Sequence, residues 1–146
     1  MGLDMFLNAK RSCYNTAQSP VAQEIHKLLG LAAGVNVTGV EVEAGYWRKV
    51  NHVHQWFVQN VAGGVDDCTP MVVSRDNLLA LRKACVSVHE DHSKAAELLP
   101  TQDGFFFGPT GYEERYFASL VDTVRIIDVA LELEARNWQI QYEASW

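Results

Sequence analysis

The stretch GYWRKVNHVHQWFVQN sets two histidines, His52 and His54, in an H-x-H spacing a few residues after Arg48 and Lys49. Imidazole can ligate a metal or move a proton, and a guanidinium beside an ammonium can hold an anion. On a helix, residues two apart point about 200° from one another, so this pair would not chelate together. On a strand both would face the same side. The helical reading is the stronger, and it makes His54 a hydrogen-bonded core histidine. His89 and His92 in VHEDHSK are three apart, but the pattern is not H-E-x-x-H and no third ligand is nominated by spacing. A solvated helix end is the expectation there, with no metal and no cofactor.

No nucleophile is marked. G-x-S-x-G and S-x-x-K are both absent, and none of Cys13, Cys68 and Cys85 stands in a catalytic context. Glu41 with Glu43 reads as the polar face of a strand, and Glu113 with Glu114 as acids at the positive end of a helix. GPTG ahead of that helix could present N–H groups to a phosphate. The two glutamates already occupy that end and would repel it. An enzyme is therefore less expected than a binding protein.

These residues must be positioned by the elements around them. LDMFL reads as a first strand. SPVAQEIHKLLG reads as a short helix with Ser19 as cap, Pro20 in the first turn and Gly30 past the end. VNVTGVEVEAG alternates and then slips phase at Gly39, as a hairpin or bulged strand would. From Tyr46 the period changes to about 3.6, and Tyr46, Trp47, Val50, Val53, His54, Phe57 and Val61 gather on one helical face. A short strand at Met71 to Val73, a helix capped by Ser74 with a break near Asp91 to Ser93, and a long central helix follow. Thr110 and Glu113 have capping-box spacing at the start of that last helix, which predicts an apolar face through Tyr116, Phe117, Leu120, Val121, Val124, Ile127 and Leu131. NWQIQYEASW alternates cleanly and predicts a terminal strand that pairs with the first one. The expected fold class is α+β: one globular domain over residues 1–146, with about four helices on a small, mostly antiparallel sheet.

The chain of 146 residues has a net charge of −6, and its Lys and Arg residues never run beyond pairs. Nucleic-acid binding by phosphate neutralisation needs a concentrated basic face, so it is not expected. The three cysteines are too few and too far apart for a disulfide framework. Neither a leader nor a long apolar run is present, so no membrane association and a cytoplasmic setting are expected.

Aromatic side chains are in surplus where a core does not obviously need them. Lys49, His52 and Trp56 form a stripe outside the main apolar face of their predicted helix, and such a Trp can anchor an interface or wall a pocket. Of Phe105, Phe106 and Phe107, at least one must face away from the others if the segment is extended. Tyr46, Arg48 and Tyr112 complete the set of candidate ligand or partner contacts.

The MGLDM start, the GYWRKVNHVHQWF block, LLPTQDGFFFG and the terminal Trp together resemble a family of small proteins encoded by bacteriophages and prophages. The resemblance implies a bacterial cytoplasmic setting and a role in host takeover or phage–host conflict, and it carries no activity. Two functions are thus expected in order: binding to a host protein through Trp56 or the phenylalanine run, and binding of an anionic or nucleotide-like small molecule, with or without catalysis, around Arg48, Lys49, His52 and His54. A homodimer through the aromatic last strand is the remaining expectation.

Overall fold

In the computed structural model the described residues are 2–14 and 16–146. Strand β1 (Asp4–Ser12) alternates in burial, and its inward row Met5, Leu7 and Ala9 extends the buried Leu3. Helix α1 (Pro20–Leu28) starts as its residues dictate: Ser19 Oγ accepts from the Ala22 N–H at 3.3 Å, and Gly30 turns the chain out at φ 61°. Strand β2 (Gly39–Arg48), helix α2 (Asn51–Asn60), strand β3 (Met71–Val73), helix α3 (Arg75–Glu90), the single turn α4 (Ala95–Leu98), helix α5 (Glu114–Ala135) and strand β4 (Gln139–Ser145) follow.

The four strands form one antiparallel sheet in the order β2-β1-β4-β3. The fold is α+β, as the pattern of periods predicts, and the two terminal strands pair at its centre with Leu7 opposite Tyr142. The other face of β1, with Asp4, Phe6, Asn8 and Lys10, stays partly exposed. Helices cover only the inner face, where Phe57 of α2 stacks on Tyr142 at 4.0 Å, and α3 packs along α5. Arg82 and Asp128 join those two helices through a two-pronged contact. Exposed pairs of this kind contribute about 0–1 kcal/mol, so the buried row Leu78, Leu81, Cys85 and Val88 against Leu120, Ile127 and Ala130 carries the stability of the pair.

Three expectations need correction. Tyr46, Trp47 and Arg48 lie on β2, and α2 begins only at Asn51. Pairing with β1 satisfies the backbone there, with Met5 opposite Trp47, and the Trp47 indole N–H reaches the buried Thr123 hydroxyl at 3.0 Å. The spacing of Tyr46, Trp47 and Val50 matched a helical face only because the strand's inward residue and the first helical turn fall in one register. The Thr110–Glu113 capping box does not form either. Glu113 precedes α5 without a side-chain bond to its N–H groups, and the Thr110 carbonyl instead accepts from the Thr101 hydroxyl at 2.9 Å. On α5 itself Val121 is exposed, while Thr123 and Ala130 are buried, so the inward face is rotated from the one the apolar pattern suggests.

β2 is bulged, but not at Gly39, which pairs regularly with Ser12 as the first residue of the strand: Leu7 pairs with Gly45 and Asn8 with Glu43, leaving Ala44 unpaired. Gly45 is there because α5 crosses it closely. A Cβ on Gly45 would sit 2.2 Å from Ile126 Cγ2. Gly45→Ala is expected to cost about 1–3 kcal/mol through overpacking, read as a lowered urea midpoint with an unchanged slope.

Candidate functional site

The segment 101–111 is held at three points by one buried side chain, that of Asn51. Asn51 is 1 % exposed, its Nδ2 donates to the carbonyls of Phe107 at 3.1 Å and Pro109 at 3.0 Å, and its Oδ1 accepts from the Gln102 N–H at 3.0 Å. Three of the four hydrogen bonds an amide can make are thereby used to fix a loop. Leu3 N–H donates to the Phe106 carbonyl and Lys49 N–H to the Leu3 carbonyl, which ties the loop and the β2–α2 turn to the start of β1.

Two backbone features mark that turn. Lys49 has φ 56°, a left-handed conformation that costs a residue with a Cβ about 1–2 kcal/mol. Gly108 has φ 90°, and a Cβ on it would meet Lys49 Cβ at 2.9 Å. The loop therefore closes against Lys49 only because residue 108 is glycine.

Between this turn, the loop and the first turns of α5 lies a cavity of about 80 Å³, lined by Lys49, His52, Glu113, Arg115, Tyr116 and Ser119 among others. A neighbouring groove of about 310 Å³ shares Val50, Arg115 and Ser119 as wall and adds Arg48 and Arg125. Four basic side chains thus line adjoining concavities of a chain whose net charge is −6. Arg48 is paired with Asp4 and Arg125 with Asp122, but Lys49 and Arg115 have no carboxylate partner among the described residues.

His52 forms the inner wall. It is buried against the Tyr116 ring, with centroids 4.1 Å apart, and burial lowers its pKa from 6.5 to about 3. The imidazole is therefore neutral near pH 7. Ser119 Oγ lies 2.9 Å from His52 Nε2 and 2.6 Å from the Tyr116 carbonyl oxygen. A carbonyl can only accept, so the hydroxyl donates to it, and Nε2–H donates to Oγ. A nucleophilic serine needs the opposite polarity, with the imidazole accepting its proton.

His54, as expected of a core histidine, is buried on the other side of α2. Its Nδ1 is 2.8 Å from the Tyr142 hydroxyl and its Nε2 is 3.1 Å from Asp66 Oδ2. Phe107 and Trp146 pack edge-on against its ring. It lies apart from the cavity that holds His52.

The remaining candidates divide. Arg48 and Tyr46 lie on β2, and both bind the Asp4 carboxylate, a contact that raises the Tyr46 phenol above its ordinary pKa. Both also line the groove with Arg115 and Arg125. Trp56 is partly buried against the core beside Phe57 and walls a different concavity with His52, Gln59, Glu97 and Leu98. Of the phenylalanines, Phe107 is buried, Phe106 half-buried and Phe105 96 % exposed. Tyr112 is exposed at its edge, packs on Tyr116, and its hydroxyl accepts weakly from the Thr101 N–H at 3.4 Å.

Asn51, Glu113, Arg115 and Ser119 are the contributors that sequence reasoning did not nominate for a site. Arg115 and Ser119 are four apart, hence on one helix face, which is a weak signal. Nothing in the sequence marks Asn51 as the residue that orders a loop 50 positions away. Among the described residues no three His, Cys, Asp or Glu side chains gather as metal ligands, and no helix is long and apolar enough to cross a membrane. The fold and cavity define an α+β protein with helices on one sheet face and an arginine-lined groove between the end of edge strand β2 and α5. No protein-family model, curated protein or solved structure matches the chain.

Proposed function

We propose that the protein acts by binding, and that the cavity at the β2–α2 turn receives the anionic group of a small molecule whose remainder lies in the adjoining groove. The observation behind this reading is that Lys49 and Arg115, both without a carboxylate partner among the described residues, line one cavity. A guanidinium and an ammonium that converge on one space are suited to a carboxylate or phosphoryl group. Glu113 lines the same cavity, so a ligand with a donor or amine beside its anionic group fits better than bare phosphate. The left-handed backbone of Lys49 is the kind of local strain that accompanies a positioned side chain.

A host protein as partner, in the phage-type role that the resemblance implies, is the second reading. Phe105 favours it, since a phenylalanine exposed at 96 % has no use inside the fold.

Calorimetry against nucleotides, sugar phosphates and amino acids, with Lys49→Asn and Arg115→Gln, tests the first reading. Asparagine tolerates the left-handed backbone, so it removes the charge without adding strain. Each variant is expected to weaken the best ligand by about ten-fold or more. Unchanged affinity in both variants, or no binding in the panel, overturns the pocket reading. Loss of partner capture in Phe105→Ala at unchanged stability then supports the second.

A further inference from the structure

The inner face of the sheet runs beyond the core that covers it. By the period of two, the row Leu3, Met5, Leu7 and Ala9 continues to Arg11, so an arginine, exposed because no helix covers it, stands on the inner-face side of β1. Register places Val40 beside Arg11 and Ile140 beside Ala9, which sets Trp138, two residues before Ile140, at the same end. The opposite wall comes from α1, through Pro20, Val21 and Ile25.

The space between them is about 500 Å³, the largest concavity described, and within the range of small-molecule sites. α1 has not closed it. The helix buries only Ala22, its one substantial packing partner is the 3₁₀ turn at Thr16–Gln18, and Val21, Leu28 and Leu29 are exposed. Cys13, Val40 and Trp138 add to the apolar wall, and among the described residues Arg11 is the only charged one lining it. Among the described residues Arg11 has no carboxylate partner.

We propose that this cavity binds a single-chain aliphatic carboxylate, with its tail between α1 and Trp138 and its carboxylate on Arg11. An apolar occupant without an acid, including a second copy's apolar face, would desolvate the guanidinium and give it nothing in return. A carboxylate matches its planar fork, and no acid lines the cavity among the described residues to repel one. The site lies at the opposite end of β1 from Lys49, which sits beside Leu3, roughly 25 Å away along the strand. It is therefore independent of the cavity near His52.

The test is calorimetry of the full chain with straight-chain carboxylates from hexanoate to dodecanoate and the matching 1-alkanols, repeated on Arg11→Gln. Affinity is expected to rise about four-fold per added methylene until the cavity is filled. Each acid should bind about ten-fold or more tighter than its alcohol. Arg11→Gln should abolish that advantage and leave the alcohols unchanged. No binding, equal binding of acid and alcohol, an acid advantage that survives Arg11→Gln, or a ligand-free dimer with this cavity covered would each overturn the proposal. The comparison of acid with alcohol in the wild-type chain stands even if the variant fails to fold.

Discussion

Asn51→Ala is expected to lower stability by about 3–5 kcal/mol, a large share of the total for a domain of this size. The substitution leaves the buried Phe107 carbonyl and the partly buried Pro109 carbonyl and Gln102 N–H without their partner; a fully buried orphan costs about 1–3 kcal/mol, the partly buried ones less, and the emptied amide volume adds to the loss. The side chain is 1 % exposed, so water does not replace the lost bonds without opening the loop. The loss should also be local: amide exchange in residues 101–111 should accelerate more than in β1 and β4. Asn51→Asp is expected to be no better, because a carboxylate can still accept from Gln102 but faces two carbonyls with no donor to offer. Urea titration of the two variants measures the effect, and a loss below about 1 kcal/mol would show that other contacts order the loop. Because the loop carries Pro109 and Gly111 of the cavity wall, both variants should weaken anion binding although Asn51 bears no charge.

His52 is expected to dominate the acid limb of the stability curve. Its folded pKa lies near 3 while the unfolded value is 6.5, so between those pH values the unfolded chain binds a proton that the folded chain does not. Stability from this group is complete above pH 6.5 and is lost as pH falls towards 3, at up to about 1.4 kcal/mol per pH unit. The loss at pH 3 is roughly 4 kcal/mol before relaxation and water entry reduce it. The cost of charging the imidazole comes from its burial alone. His52→Gln keeps a donor for Ser119 Oγ and removes the titration. Its denaturation midpoint should therefore fall less between pH 6.5 and pH 4 than that of the native chain, and parallel curves would contradict the assignment. The Cys85 thiol, pushed by burial up to about 12, takes no part in this window.

Much of the fold is legible in the residues. The alternation of QIQYEAS predicts β4, the Ser19-Pro20 and Gly30 signals bound α1, and Ser74 opens α3, where Asn77 completes a reciprocal cap. Each of these is a local rule in which a side chain satisfies the backbone within four residues or a period of two sorts buried from exposed, so neighbours in sequence are enough to decide it. The failures are equally physical. The helical spacing from Tyr46 misleads because β1, more than 40 positions away, supplies the hydrogen bonds that hold Tyr46 to Arg48 in a strand. The capping box at Thr110 fails because the loop bound by Asn51 runs on and α5 starts only at Glu114, which puts Glu113 and not Thr110 at the N-cap.

By itself, then, the sequence determined the α+β class, the two terminal strands as candidates to pair with each other, and the burial of His54, all of which follow from periodicity and hydrophobic burial, whereas the central place of those strands in the sheet and the split among Phe105, Phe106 and Phe107, which lie in a turn, came from the tertiary structure. The tertiary structure alone decided which charged groups meet: Lys49 and Arg115 in one cavity, Arg48 on Asp4, His54 apart from His52, and Arg11 facing Trp138. The reason is that a charged side chain leaves no periodic trace. Its position relative to another charge depends on strand register, helix rotation and loop closure, and here those were set by long-range contacts such as Gly45 under Ile126 and Asn51 under the loop.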